Sequence, residues 1–577
     1  MFFQKGRTVV YCYYQGGGKM EWLFLAVTVL VTAVFGAVWC WQCRRRKKAM
    51  IRRICAAFGA GTSAACLQKD TAGLWKIWQE DDPFTVDEQT WSDLDMDAVY
   101  LRLDCCESAI GKEYLYAALH KPLGPEGAAR RSQLRRTMEE HPETRLALQM
   151  QFARLGRYGR NFESFLQDPR SAALPFSKLY PVFAALPWVG LPLLLLGPQG
   201  GLLCLGAACL NIALSVAAKP RLEGGLQAIG YLSAALQTAR RVARQMRDCA
   251  PELSEELEKA LKPLRGLMGP LAAVTCPPPG GDTGAFQEVL GMLTLWPLLF
   301  YGRAVKQLSL FRGQACRVCR LLGEVELAIA AASFCAGAPG WCTPTWQESG
   351  KARVECRAMY HPLLSQPVKN DGVFDRDTLF TGSNASGKST FLKAVAVNAL
   401  LAGTLGVCCA ERFCLPFVPV ISSMAVRDDL VSGESYFIAE LRSLGRLVHR
   451  AERGACLCFV DEILKGTNTV ERIAASAAVL ERLFRTQALC FVATHDMELT
   501  RMLAPAWENR HFREQVTDRG VLFDYRLYPG PSSTRNAIEL LRTMGFEEDT
   551  VRRARALAAQ FDETGVWPGG APDKNVL

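Results

Sequence analysis

Histidine is scarce in this chain, with only six in 577 residues. None sits beside either C-x-x-C pair, Cys40/Cys43 or Cys316/Cys319. A structural zinc site wants four ligands, so neither pair is expected to hold a metal. The 22 cysteines are scattered through apolar runs, as at Cys204, Cys209, Cys456, Cys458 and Cys490. There a thiol behaves as a small hydrophobe, which points to a reducing compartment. Charged residues make up 21% against 49% hydrophobic, which excludes a disordered chain. Glycine (48) and proline (29) are unexceptional, so collagen-like and low-complexity classes are excluded too. No internal repeat is visible.

What is present is length and apolar surface. At roughly 100–200 residues per domain, two to four units are expected. The net charge is +10, from 67 basic and 57 acidic residues. Nucleic acid, nucleotide and anionic lipid all fit that sign, and so do the basic flanks of a membrane protein. The mean hydropathy of +0.05 raises the membrane question.

Trp22 to Trp41 is an apolar run interrupted only by Thr28, Thr32 and Gly36. At about 1.5 Å per residue it spans a bilayer core, and its terminal tryptophans suit the interfaces. Arg44-Arg45-Arg46-Lys47-Lys48 follows it, whereas a signal peptide carries its charge in front. The positive-inside rule places the N-terminus outside and Arg44 onward in the cytoplasm. A second apolar region, Leu179–Ala218, divides at Gly197-Pro198-Gln199-Gly200-Gly201 into two runs near span length. It predicts a transmembrane hairpin with both ends cytoplasmic; the alternative is a buried helical hairpin. Val289–Tyr301 is too short to span and is expected to be a buried helix.

Residues 83–170 and 222–335 have helical patterning. The first begins with an acidic stretch (Asp87, Glu88, Asp93, Asp95, Asp97), and Gly224–Met246 and Glu252–Met268 are amphipathic. Pro277-Pro278-Pro279-Gly280-Gly281 breaks the second before a long run, Phe286–Phe334. After Lys351, short β-rich apolar runs alternate with helices, which predicts an α/β nucleotide-binding domain.

Gly382-Ser383-Asn384-Ala385-Ser386-Gly387-Lys388-Ser389-Thr390 matches G-x-x-x-x-G-K-[ST] between a strand-like run and a helix. The glycines let backbone N–H groups turn in around phosphates, and the helix start adds partial positive charge. Lys388 is suited to neutralise the β- and γ-phosphates, and the Ser389 hydroxyl to ligate Mg²⁺. Cys456–Glu462 is an apolar strand ending in Asp461-Glu462. Asp461 would hold Mg²⁺ through its water shell, and Glu462 would orient or deprotonate an attacking water. A third apolar strand, Ala488–Ala493, ends in Thr494-His495-Asp496. His495 at its end can reach a γ-phosphate.

Together with Asp428-Asp429-Leu430, Ser432–Glu440, Lys465–Thr469 and Ala493-Thr494-His495, these motifs resemble the ATPase domain of MutS-type DNA mismatch repair proteins in order and spacing. His361-Pro362 and Asn370-Asp371 are similar to the segment leading into that domain. Tyr528-Pro529-Gly530 and Asn536–Ala558 are similar to its C-terminal dimerisation element. Gly111–Pro122 and Gly323–Phe334 resemble the ends of the core/lever domain. The resemblance implies a head-to-tail ATPase homodimer, with Asn384 supporting phosphates and Ser435 closing in trans on the partner's nucleotide. An ABC or SMC-type ATPase is the alternative, but Val431–Ser435 matches its signature only in part.

The chain departs from the family in front of this domain. The family's mismatch reader is an N-terminal Phe-x-Glu wedge, whereas here the first residues hold an apolar run. Phe286-Gln287-Glu288 has the letters but precedes a helical run deep in the chain. Arg130-Arg131, Arg135-Arg136, Arg240-Arg241, Arg244 and Arg247 are candidates for phosphate contact; the alternative is a solvated face or attraction to anionic lipid.

The expected architecture is multidomain: transmembrane helices, an all-α core/lever, then an α/β P-loop NTPase of ABC/MutS type with a C-terminal helical dimerisation element. The expected divisions are a short extracytoplasmic segment (1–21), a span (22–41), a cytoplasmic linker (44–82), core/lever (83–178), membrane hairpin (179–218), core/lever (219–340), ATPase (350–530) and dimerisation element with tail (531–577). The expected function is ATP hydrolysis with Mg²⁺ by a multi-pass protein of the cell membrane. Lys388, Glu462 and His495 are its catalytic residues; Ser389 and Asp461 hold the metal. The resemblance implies mismatched-DNA binding; the alternative is a mechanochemical ATPase acting on another partner.

Overall fold

A computed structural model describes residues 8–60, 75, 82–156, 165–166, 168, 174, 179–193, 198–267, 289–347, 352–383, 386–424, 436–504, 506–517, 520–532, 538, 541–542 and 544–567. The chain forms two units, Met1–Phe58 and Gly59–Leu577. The first is a single helix, α1 (Thr8–Ala57), running unbroken through both the apolar run and the basic cluster. Val27, Val29, Leu30, Val34, Val38, Trp39 and Trp41 stand exposed along it. The Arg45 guanidinium lies 5.4 Å from the Trp41 ring centroid.

The second unit opens with α2 (Glu88–Asp93), α3 (Met96–Leu103), α4 (Ala109–His120), α5 (Pro125–Glu140) and α6 (Pro142–Leu155). Prolines start α5 and α6, where a missing N–H costs nothing. Next come α7 (Tyr180–Leu193), α8 (Pro198–Met246), α9 (Pro251–Leu261), α10 (Trp296–Leu310) and α11 (Arg312–Gly337). Helix α8 is 49 residues long. Its first part is the second arm of the apolar hairpin and its last part packs on α6 and α9, so no break falls at the expected 218/219 boundary. Within it, Gly200–Lys219 is the one stretch among the described residues that passes as long and apolar enough to cross a membrane, and 17% of its apolar window is buried.

Three expectations need correction here. Val289–Tyr301 is not one buried helix. Residues 289–294 are helical, Leu295 takes φ 53°, and α10 restarts with Pro297 in its first turn. Val289 and Leu290 are exposed, so only the later part is core. The long run from Phe286 is likewise broken between α10 and α11, and Phe286-Gln287-Glu288 lies outside the described residues. Thirdly, the paired arginines of α5 do not form one basic face. Arg131 is buried and donates to Thr404 O at 2.6 Å. Arg135 is 0% exposed, bonds Glu139 at 2.7 Å and lies 4.2 Å from the Trp341 ring centroid. The exposed Arg130 pairs with Glu256 and Glu324.

The α/β part has two sheets. Strands β1 (Thr345–Trp346), β2 (Val354–Met359), β3 (Asn370–Phe374) and β5 (Arg412–Leu415) form one, in the order β1-β5-β2-β3. The other is six-stranded, order β10-β9-β4-β8-β7-β6. It comprises β4 (Thr378–Thr381), β6 (Val420–Ser423), β7 (Leu457–Asp461), β8 (Leu489–Ala493), β9 (Glu508–Thr517) and β10 (Gly520–Pro529). Only the β9/β10 pair is antiparallel. The helices between these strands are α12 (Lys388–Leu405), α13 (Tyr436–Glu452), α14 (Thr469–Phe484) and α15 (Met497–Met502). A last helix, α16 (Glu548–Thr564), closes the described chain.

Alternation along the parallel strands builds two cores. Phe380, Phe459 and Phe491 face α12, where Phe391, Leu392 and Val395 meet them. Leu379, Cys458, Val460, Cys490 and Val492 face the opposite way, toward Leu444 and Leu447 of α13 and Leu480 of α14. Strands covered on both faces explain the unbroken apolar runs in the sequence.

Arg135→Ala should cost ~2 kcal/mol by emptying the buried space the guanidinium fills against Trp341. Arg136→Ala, on the exposed side of the same turn, should stay within about 0.5 kcal/mol of wild type. Thermal unfolding of the purified chain checks the contrast.

Candidate functional site

Parallel strands with intervening helices place their carboxyl ends along one sheet edge. At that edge β4 is followed by Gly382, β7 ends in Asp461, and β8 is followed by Thr494-His495. The turn after β4 requires glycine: Gly382 has φ 138° and Gly387 φ 103°. Helix α12 then begins at Lys388, whose N–H and those after it face outward from a helix start. Asn384, Ala385 and the signature residue Ser435 lie outside the described residues. Ser389 is half-buried and Thr390 exposed at the mouth of the turn.

Lys388 is 3% exposed and its Nζ donates to Gly382 O and Ser383 O, both at 2.7 Å. Burial lowers its pKa to about 8; the Asp461 and Glu514 carboxylates oppose that shift and Lys465 adds to it. Ser383 Oγ bonds the buried Glu514 carboxylate of β9. The Ser386 hydroxyl and Asp461 Oδ1 are buried without a hydrogen-bond partner among the described residues. Such groups are costly unless something else satisfies them.

Glu462 follows Asp461 with φ 53°, and Leu464 has φ 58°, so two side-chain-bearing residues occupy left-handed backbone in one turn. The Glu462 N–H donates to Ala493 O at 2.9 Å, tying the turn to β8. Strain of this kind persists where surroundings over-determine it. The Glu462 carboxylate meets His495 Nε2 at 2.5 Å on one oxygen and Lys465 Nζ on the other. Burial lowers the His495 pKa, helped by the Lys388 and Lys465 charges, which favours the neutral imidazole beside Glu462. His495 Nε2 also lies 3.5 Å from Lys388 Nζ. Arg472 grips Asp496 through two bonds of 3.1 and 2.7 Å, fixing the turn that carries His495.

Beside this turn is a cavity of about 330 Å³, lined among others by Tyr360, His361, Phe391, Phe512 and Tyr525. Tyr525 takes φ 54°, and its carbonyl accepts from Asn370 Nδ2 at 2.9 Å. Asn370 Oδ1 in turn accepts from Leu527 N at 2.9 Å. His361 and Asn370 stood in the sequence as a lead-in segment; here they border the site. Sequence reasoning missed Glu514, Phe512 and Tyr525. They sit on β9 and β10, which carry no motif at those positions, and only the pairing of β9 with β4 brings them close.

The donor set suits a polyphosphate with a hard divalent cation: a helix start, a buried lysine, a serine hydroxyl and an orphaned carboxylate oxygen. The aromatic cavity suits a flat base.

Residues 378–562 match the family described as MutS domain V. The chain is 32% identical over 260 residues to the DNA mismatch repair protein MutS of Thermus aquaticus, covering 44% of this chain and 31% of that protein. It is 30% identical over 282 residues to the DNA mismatch repair protein MutS 2 of Haloarcula marismortui, covering 43% and 29%. With the MutS protein of Streptococcus gordonii the identity is 31% over 202 residues, 34% of this chain and 24% of the relative. The chain thus matches less than a third of each relative's length. The part of the chain that carries this site, residues 378–562, is thus similar to MutS domain V.

Proposed function

We propose that this protein hydrolyses ATP with Mg²⁺ at the edge of the six-stranded sheet while anchored in a membrane. The observation that carries the first part is the Lys388–His495–Glu462–Lys465 chain of contacts, which joins three motifs far apart in sequence. The Gly382–Thr390 turn and Lys388 bind the phosphates, and the aromatic cavity takes the base. Ser389 and Asp461 would hold Mg²⁺, whose charge neutralises the phosphate oxygens when bound. Glu462 accepts the proton of an attacking water and aligns it for in-line displacement. Neutral His495 keeps that carboxylate oriented. Lys388 offsets charge at the leaving oxygens.

The membrane part rests on exposed apolar surface. Besides the side chains on α1, the hairpin of α7 and α8 exposes Val182, Trp188, Val189, Leu202, Leu205 and Val216. Water-exposed apolar area costs about 25 cal/mol per Å², which lipid relieves. Basic residues at Arg44–Lys48 and at Lys219 favour a cytoplasmic ATPase domain. A head-to-tail homodimer, with Ser435 acting in trans, completes the reading. Exposed Met544, Phe546, Val566 and Trp567 near α16 supply apolar surface for such contact.

The relatives' names speak of DNA mismatch repair, and DNA is the partner they suggest. Against a dedicated duplex grip stand Arg131 and Arg135, which are spent internally, and Arg241 and Arg247, which contact Gln151 and Glu258.

The full chain should stay with membranes under alkaline extraction and, once solubilised in detergent, hydrolyse ATP only with Mg²⁺. Lys388→Ala and Glu462→Gln should each abolish turnover; wild-type turnover in either variant would reject the site. The lowered Lys388 pKa sets a pH dependence. Below about pH 8 the free ammonium is charged and ready for phosphate. Above it the free protein holds a neutral amine, while the bound anion needs the cation. Nucleotide affinity should therefore fall with rising pH, by up to about tenfold per unit, and Lys388→Ala should remove that slope. Anisotropy titrations with homoduplex and mismatched duplex should give equal, weak, salt-labile binding. A preference for the mismatch would instead establish DNA recognition.

A further inference from the structure

The acidic stretch that opens the helical region has the composition of a solvated face. In the structure three of its side chains, Asp87, Asp93 and Asp95, meet the α/β part, while Glu88 stays exposed and Asp97 accepts from Trp91. Asp93 is 0% exposed and accepts from Ser422 Oγ at 2.7 Å and from Met424 N at 2.9 Å, at the end of β6. Thr90 Oγ1 accepts from Ser422 N at 3.2 Å. Asp87 pairs with Arg446 of α13, and the same guanidinium donates to Ser422 O and to Thr90 Oγ1. Asp95 binds Lys393 Nζ of α12 at 2.6 Å. One short segment thus grips the edge strand, the helix behind it and the helix that follows the glycine-rich turn.

The same segment is rooted in the helical region. The Trp91 ring stacks on His120 of α4 with centroids 3.5 Å apart, and its Nε1 donates to Asp97 at 2.7 Å. Val86 N donates to His120 O at 2.8 Å.

What it grips borders the hydrolytic turn. Strand β6 pairs with β7 in a register that sets Ser423 against Val460, the residue before Asp461. Helix α13 carries the buried Glu440, whose Oε1 accepts from Lys465 N at 3.1 Å within the turn that holds Glu462. A buried carboxylate is retained only where donors satisfy it, and charged acceptors make the stronger bonds. Asp93 is therefore a rigid link between α2 and β6.

We infer that residues 87–97 form a strap that positions the Asp461–Lys465 turn and couples the helical region to hydrolysis. Asp93, Asp87 and Arg446 are positioning residues; none lines the phosphate turn or the aromatic cavity. The inference rests on the ATPase reading above, and its test separates the two.

The solubilised full chain is compared with Asp93→Asn, Arg446→Lys and Arg446→Met. Asp93→Asn should lower kcat about tenfold or more while KM for ATP moves less than about threefold, since the nucleotide-binding groups are untouched. Arg446→Lys, which retains the charge opposite Asp87, should recover part of the activity lost in Arg446→Met. Amide hydrogen exchange supplies a readout independent of turnover. A non-hydrolysable ATP analogue should alter exchange over both 388–400 and 87–104 in wild type. In Asp93→Asn the change at 87–104 should be lost and that at 388–400 kept. Wild-type kcat in folded Asp93→Asn, or a loss shared equally by KM and thermal stability, would overturn the strap. So would unaltered exchange at 87–104 in the wild-type chain. Failure of the wild type to hydrolyse ATP would overturn the ATPase reading and leave the exchange result to decide the strap.

Discussion

The parallel pairing of β4, β7 and β8 is the constraint on which the rest depends. Register sets Phe380 beside Ala493 and Asp461 beside Ala493. Three strands therefore end level, and the groups after them meet at one edge. Everything polar in the site hangs from that alignment: the turn holding Lys388, the left-handed Glu462, and the His495 turn clamped by Arg472 and Asp496. The aromatic layer of Phe380, Phe459 and Phe491 resists slippage, because a shift of one residue would send each ring to the other face.

Around that edge, acidic side chains do two kinds of work. Asp461, Glu462 and Glu514 stand among the cations of the site. Asp87, Asp93 and Asp95 stand outside it and bind the elements that support it. The same residue type stands beside the glycine-rich turn in one place and braces neighbouring elements in another. The difference lies in what surrounds each: Asp93 is satisfied by a hydroxyl and a backbone N–H, whereas Asp461 keeps one oxygen orphaned. An orphaned oxygen is available to a ligand and a satisfied one is not.

The apolar hairpin poses a mechanical question. Helix α8 carries the outward-facing apolar stretch and then, without a break, packs into the helical region beside α6, α9 and α11. Asn211 is buried within the hairpin and donates to Phe183 O at 3.1 Å and Leu293 O at 2.7 Å, holding α7 and the short helical piece before α10 to it. A continuous helix transmits rotation and translation along its length.

Much of this was legible in the residues. The glycine-rich turn, the Asp461-Glu462 strand end and Thr494-His495 are short-range signals, because phosphate binding needs particular residue types at particular spacing along the chain. The apolar runs were legible too, as stretches of one residue type, and they form exposed helical surface. The break at Leu295 was not, because a left-handed leucine is tolerated only where neighbouring packing holds it. Nor was the fate of Arg131 and Arg135, which read as a basic face until Thr404 O, Tyr114 and Trp341 are brought beside them. The placement of Tyr525 and Glu514 came from sheet order, and the inward turn of Asp93 from the docking of α2 on β6. Sequence by itself determined which residue types stand in the glycine-rich turn and at the strand ends, for that is written in side-chain type and spacing. Only the tertiary structure decided which carboxylates and arginines meet partners and which remain free to act, since burial and pairing depend on contacts between residues hundreds of positions apart.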